Sequence, residues 1–191
     1  MIKIGLLGED PNDTSSIKNL LSKKYKGKVQ FYPLANRITG YQLDNPKIKK
    51  SLPIEFNDKG CSFVVYIRDL DGFKTDKSKI NARLKWFREL DKSVNSKGIL
   101  CLNIWELESL IFADIAAFNK IYGISHKYSG DPMSLKEPKE ELKRITFKNK
   151  KRYKESDCPE IFEKLDFDIV QKRCAIFKEF ISDFNERINS H

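Results

Sequence analysis

Histidine, methionine and tryptophan are scarce here, with two of each among 191 residues. His126 is the one histidine inside the chain, and a loop position is its plainer reading than acid–base work. The cysteines Cys61, Cys101, Cys158 and Cys174 are widely spaced, with neither Cys-x-x-Cys nor His-x-x-x-His nearby. That argues against a zinc site and for reduced, buried thiols. No Gly-x-x-x-x-Gly-Lys-Ser/Thr loop occurs, so this chain is not itself a P-loop ATPase. No apolar run reaches the ~20 residues of a membrane span. The longest are Ile99–Ile104 and Leu107–Phe118, the second interrupted by Asp114. The opening MIKIGLLGED lacks the apolar length and cleavage site of a secretory signal. The expectation is a cytoplasmic protein with no membrane contact.

What is present is globular. Hydrophobic residues make up 40% and charged residues 33%, with thirteen Phe and a net charge of +9. A chain of this length can bury roughly 70% of its unfolded surface without staples. Repeats and low-complexity tracts are absent.

Met1–Leu7 reads as a strand ending in the polar turn Gly8-Glu9-Asp10-Pro11-Asn12-Asp13-Thr14. Ile17, Leu20, Leu21 and Tyr25 then recur at helical spacing, with Asp13 or Thr14 as N-cap and Gly27 as stop. Val29–Leu34 is a second strand, which Pro33 confines to an edge or an end. Residues 35–60 read as loop with minor helices. Ser62–Ile67 is a strand apolar enough to be buried on both faces. Residues 77–94 form a polar-rich helix with Ile80, Leu84, Phe87 and Leu90 inward, Ile99–Ile104 a further strand, and Glu106–Asn119 a helix. Alternating strands and helices predict an α/β fold over residues 1–122, a Rossmann-like, mostly parallel sheet flanked by helices. Residues 123–191 are expected as a basic loop followed by a helical C-terminal extension packing on that core.

Three of these strands run into acids. Glu9, Asp10 and Asp13 follow the first, Asp69 and Asp71 the third, and Glu106 and Glu108 the fourth. The carboxyl ends of parallel strands form one edge, and ligands bind there. Two carboxylates ~6 Å apart repel by roughly 3 kcal/mol at an effective dielectric of 20. A cleft of several acids therefore holds protons or a cation, and hard oxygen donors suit Mg2+ or Mn2+. With Leu70 extended, Asp69 and Asp71 point to the same side. The plainer alternatives are turn residues and helix caps, Asp13 above all.

Glu9 after the first strand and Asp69-x-Asp71 after a later one resemble the Toprim fold. That fold is shared by topoisomerases, bacterial primases and nucleases of the overcoming-lysogenization-defect type. The resemblance implies that Glu9, Asp69 and Asp71 bind a divalent metal. Asp13 matches the acid that the nuclease branch adds four residues after its Glu. The chain is also similar to a family of small Toprim-like proteins, through Gly8–Thr14, Arg68–Asp71 and Glu106–Asp114. That last segment usually opens on His-Glu, and Trp105 stands here where the His would be. Such proteins often accompany ATPases of the ABC/SMC type, some in antiphage defence, which implies a partner of that kind. An Asp-nucleophile phosphatase is a further reading of Asp69-Leu70-Asp71-Gly72, but its motif usually follows the first strand.

Residues 143–154 (KRITFKNKKRYK) carry seven basic residues and no acid, with Phe147 and Tyr153 interleaved. Lys143, Arg144, Lys148, Lys150, Lys151 and Arg152 are candidates for holding a nucleic-acid backbone, with the aromatics free to stack on bases. The bland reading is a solvated loop whose aromatics dock into the core. By its position in a stretch that resembles the Toprim-like family, Lys154 is expected to neutralise the transition-state phosphorane, with Lys139 and Lys151 as rivals. Ser109, Trp86 and Trp105 read as cap and packing residues. The expected activity is metal-dependent phosphodiester hydrolysis on nucleic acid, DNA ahead of RNA. Glu9, Asp69 and Asp71 would hold one ion, and Asp13, Glu106 and Glu108 would help with a second or with water. The alternative is a non-catalytic subunit that binds nucleic acid or a partner.

Overall fold

The computed structural model describes residues 1–35 and 43–190. Among them the order is β1 (Ile2–Leu7), α1 (Pro11–Lys24), β2 (Val29–Pro33), α2 (Pro46–Lys59), β3 (Phe63–Asp69), α3 (Lys77–Asp91) and β4 (Gly98–Asn103). Helices follow: α4 (Ser109–Ala113), α5 (Ile115–Tyr122), α6 (Pro138–Thr146), α7 (Cys158–Lys164), α8 (Phe167–Arg173) and α9 (Ala175–Asn189). The strands form one all-parallel sheet in the order β2-β1-β3-β4. This is the expected α/β fold, with helices on both faces and helical C-terminal elements. Pro33 does lie on an edge strand.

Helix α1 begins one turn earlier than its apolar spacing suggests. Asp10, not Asp13 or Thr14, is the N-cap: its carboxylate accepts from Asn12 N–H at 2.7 Å. Asp13 reaches back to Asp10 N–H at 3.1 Å, and Pro11 fills the first helical position, where a missing N–H costs nothing. The expected loop over residues 35–60 contains a full helix, α2, with Asn45 as N-cap and left-handed Gly60 as its stop. Pro53 inside α2 disguised it as loop. Residues 36–42 of that expected loop lie outside the described residues. The helix expected over Glu106–Asn119 is two. Asp114 leaves helical geometry (φ −124°, ψ 60°) and caps α5, while its other oxygen accepts from Asp166 N–H at 2.8 Å. Helix α6 lies within the stretch expected as a basic loop.

The sheet buries both faces. On one, Ile4, Leu6, Phe63, Val65 and Ile67 pack with α1, α4, α5 and α7–α9. Phe184 of α9 is the hub there, its ring centroid 4.9 Å from that of Tyr25, 5.6 Å from Phe63 and 6.3 Å from Phe31. On the other face, Leu7, Val64 and Tyr66 pack with α2 and the end of α3. Gly98 opens β4 because the Tyr66 ring and the Asp91 carboxylate stand where a Cβ would be. Of the four residues expected inward on α3, only Leu90 is buried; Ile80, Leu84 and Phe87 remain half-exposed.

Candidate acidic cavity at the strand ends

The carboxyl ends of β1 and β3, the first turn of α1 and the approach to α4 enclose a cavity of about 220 Å3. Glu9, Asp13, Asp69 and Glu108 line it, with Asp10, Asn12, Lys139, Glu155 and Cys158. Residues distant in sequence thus meet because parallel strands point their ends the same way.

Each of these four carboxyls is held above its usual range. Burial, then Glu108 and Asp10, push Asp13 up to about 7. Burial, then Asp13 and Glu108, push Asp69 well up, opposed by Asn103, whose amide donates to Asp69 Oδ1 at 3.0 Å. Burial raises Glu108 against the pull of Lys139 and of the Tyr153 hydroxyl, which donates to Glu108 Oε1 at 2.8 Å. Burial also raises Glu9, against Arg68. Arg68 is 4% exposed; its Nε lies 2.6 Å from Glu9 Oε1 as an ion pair rather than an aligned hydrogen bond. The same guanidinium reaches Asp44 at 3.0 Å and stacks 4.7 Å over the Trp86 ring. Burial pulls the Lys139 ammonium down, but Glu108, Glu106 and Glu155 outweigh it and push the group up.

Two expected ligands stay outside the cavity lining. Leu70 is fully buried and Asp71 turns left-handed (φ 55°), so strand alternation ends at Asp69. The Asp71 carboxylate, 57% exposed, instead pairs with Arg83 at 2.9 Å, and its carbonyl accepts from Lys79 Nζ. Glu106 accepts from the Lys139 backbone N–H at 3.1 Å and lies 3.7 Å from its Nζ. Lys154 is exposed and its side chain is not part of the lining; its rival Lys139 is the lysine found there.

The basic strip divides. Lys143 pairs with Glu140 at 2.8 Å, Arg144 with Glu141 at 2.5 Å and Lys151 with Glu160 at 3.9 Å. Lys148, Lys150 and Arg152 are exposed and make no ion pair among the described residues. Arg152 covers the ring of Phe147, which is 62% exposed. Tyr153, read as able to stack on bases, is buried instead, because its hydroxyl binds Glu108 and touches Cys158 Sγ at 3.0 Å. Ser109, expected as a helix-start cap, is the buried first residue of α4, whose N-cap position is Glu108. His126 is half-buried, its backbone paired with the Asn119 side chain. Trp105 packs edge-on against Phe73 in a left-handed conformation (φ 58°).

Sequence reasoning missed Asn103, Tyr153 and Cys158 as partners of the acids. Only Asn103 left a signal, a polar residue closing an apolar strand. Arg68 sat in a quoted motif without a role.

The donor set suits a hard divalent cation. Four carboxyls, all raised by burial and two of them, Asp13 and Asp69, also by others of the set, gain most from a counter-charge. As arranged here, however, no three His, Cys, Asp or Glu side chains among the described residues stand close enough to hold an ion. Binding would therefore require the carboxylates to draw together.

Fold and site define a parallel α/β domain with an acidic cavity at its strand ends. The chain belongs to the family described as Domain of unknown function (DUF4276), which matches residues 8–185. No curated protein and no solved structure matches it. Among the described residues no helix is long and apolar enough to cross a membrane.

Proposed function

We propose that the chain is a Toprim-like, divalent-metal-dependent phosphodiesterase acting on nucleic acid. The observation that carries this reading is the convergence of Glu9, Asp13, Asp69 and Glu108 on one cavity at the carboxyl edge of the sheet. Those four residues would hold Mg2+ or Mn2+. Bound there, such an ion would polarise a phosphate oxygen and acidify a water. Asn103 orients Asp69, Tyr153 orients Glu108, and Lys139 offers a positive charge to a phosphate oxygen. Lys148, Lys150 and Arg152, without ion pairs among the described residues, are available to hold the backbone, DNA ahead of RNA. An ABC/SMC-type ATPase partner and a role in antiphage defence complete the reading, on the family resemblance alone.

The test is cleavage of supercoiled plasmid, linear DNA and RNA with and without Mn2+. Cleavage that requires the ion and disappears in Asp69→Asn is the expected result. Metal-independent cleavage, or equal cleavage by Asp69→Asn, would refute it. A second reading, a non-catalytic scaffold, is favoured by the two arginines that already neutralise Glu9 and Asp71. It predicts nucleic-acid binding without cleavage under any divalent ion.

A further inference from the structure

The two edges of the sheet are guarded unequally. β2 (VQFYP) ends on Pro33 and follows Lys28, two devices that discourage strand addition. β4 (GILCLN) has no charge, no proline and no bulge. Val64 N–H binds Lys97 O and Leu70 N–H binds Asn103 O, so the odd-numbered residues of β4 face β3. By the two-residue repeat of the ladder, Leu100 and Leu102 turn their N–H and C=O groups outward. Arg187 covers the start of this edge, reaching the carbonyls of Ser96 at 3.3 Å and Gly98 at 3.5 Å. Beyond Gly98 no strand or hydrogen bond covers this edge among the described residues.

That edge is the floor of a groove of about 740 Å3 between α3 and α9. On the α3 side stand Ile80, Leu84 and Phe87, the apolar residues that the chain leaves half-exposed. On the α9 side stand Glu179, Asp183 and Glu186, exposed and without an ion pair among the described residues. An added strand would alternate between these two walls, one side chain toward α3 and the next toward α9. Its charges would also keep step with α9. Glu179 and Asp183 are one helical turn apart, about 6 Å along the axis, and alternate strand residues are about 6.6 Å apart.

We propose that β4 is a docking edge for an extended segment of another protein, alternating apolar with Lys or Arg residues, which joins the sheet as a fifth strand. The apolar residues would cover Ile80, Leu84 and Phe87, and the basic ones would face Glu179, Asp183 and Glu186. A second copy of this chain is a poorer occupant. Antiparallel pairing of two β4 edges about a two-fold axis sets α9 beside its symmetry mate, acid row against acid row. This inference does not depend on the chemistry of the acidic cavity.

The probe is a synthetic peptide alternating valine and lysine, compared with its valine–glutamate counterpart. Fluorescence anisotropy measures binding, and amide exchange by NMR locates it. The valine–lysine peptide should bind about tenfold more tightly than the other and slow exchange at Leu100 and Leu102. The variant Glu179→Lys/Asp183→Lys/Glu186→Lys, altered only at exposed positions, should reverse that preference. No binding, equal affinity for both peptides, or slowed exchange confined to the acidic cavity overturns the proposal. So does a dimer that protects Leu100 and Leu102 without peptide, which would make the occupant a second copy.

Discussion

Asp69 and Asp71 belong to one short motif, and the fold treats them in opposite ways. Asp69 turns inward, into a cavity where burial, then Asp13, Glu108 and Glu9, raise its carboxyl. Asp71, two residues later, faces out and is neutralised by Arg83. Glu108 and Glu106 repeat the contrast, one buried against Tyr153 and the other tied to Lys139. The inner acids are all held above their usual range by burial, Glu9 even beside Arg68 and Glu108 even beside Lys139, while Asp71 and Glu106 lie farther out against Arg83 and Lys139. Proximity in sequence therefore says little about which acids can serve a ligand.

The contrast can be broken most forcefully at Arg68, which pairs from a buried position with Glu9, one of the inner acids, and with Asp44. Arg68→Ala strands Glu9 and empties the space against Trp86, and should cost about 3–5 kcal/mol in urea unfolding. A cost under 1 kcal/mol would mean that the buried pair is unimportant to the fold.

The inner acids predict an inverted pH profile. The pKa of Asp13 rises from 3.8 to about 7 on folding, so the folded state binds more protons between those values. The contribution of Asp13 to stability should be most favourable below pH ~4, decline as pH rises, and reach its floor above ~7. Asp13→Asn keeps an oxygen for Asp10 N–H and removes the load. It should stabilise the protein by roughly 2–4 kcal/mol at pH 8 and leave it unchanged at pH 4. A denaturation series across that range checks the sign.

Tyr153→Phe removes the hydroxyl that binds Glu108 inside the core. It should cost about 1–3 kcal/mol and raise the Glu108 carboxyl further, read by NMR titration of its side-chain carbons. At the other extreme, Arg83→Ala breaks an exposed pair and should change stability by less than ~1 kcal/mol. A larger loss there would erase the distinction between inner and outer acids.

The strands, their parallel sense and the strand-end acids were legible because buried parallel strands read as continuous apolar runs. So was the meeting of Glu9, Asp13, Asp69 and Glu108. Which neighbouring acids stay out was not legible, because it depends on a left-handed turn at Asp71 and on Arg83, one helix away. Helix α2 was hidden by Pro53, and α6 by the charges around it. Periodicity placed Ile80, Leu84 and Phe87 on one face of α3 but could not say that this face meets an open groove. The Tyr153–Glu108 bond joins residues 45 apart in sequence, and no local pattern announces such a pairing.

Phe184 carries a consequence for how the protein is made. Its ring fills the centre of a cluster otherwise supplied by Tyr25, Phe31 and Phe63, residues synthesised far earlier. A nascent chain displaying β1 to β4 therefore has a hole where α9 will sit. Its apolar surface stays open to water and to chaperones until α9 has emerged and docked. Docking of α9, rather than formation of the sheet, should be the moment at which this part of the protein becomes resistant to proteases.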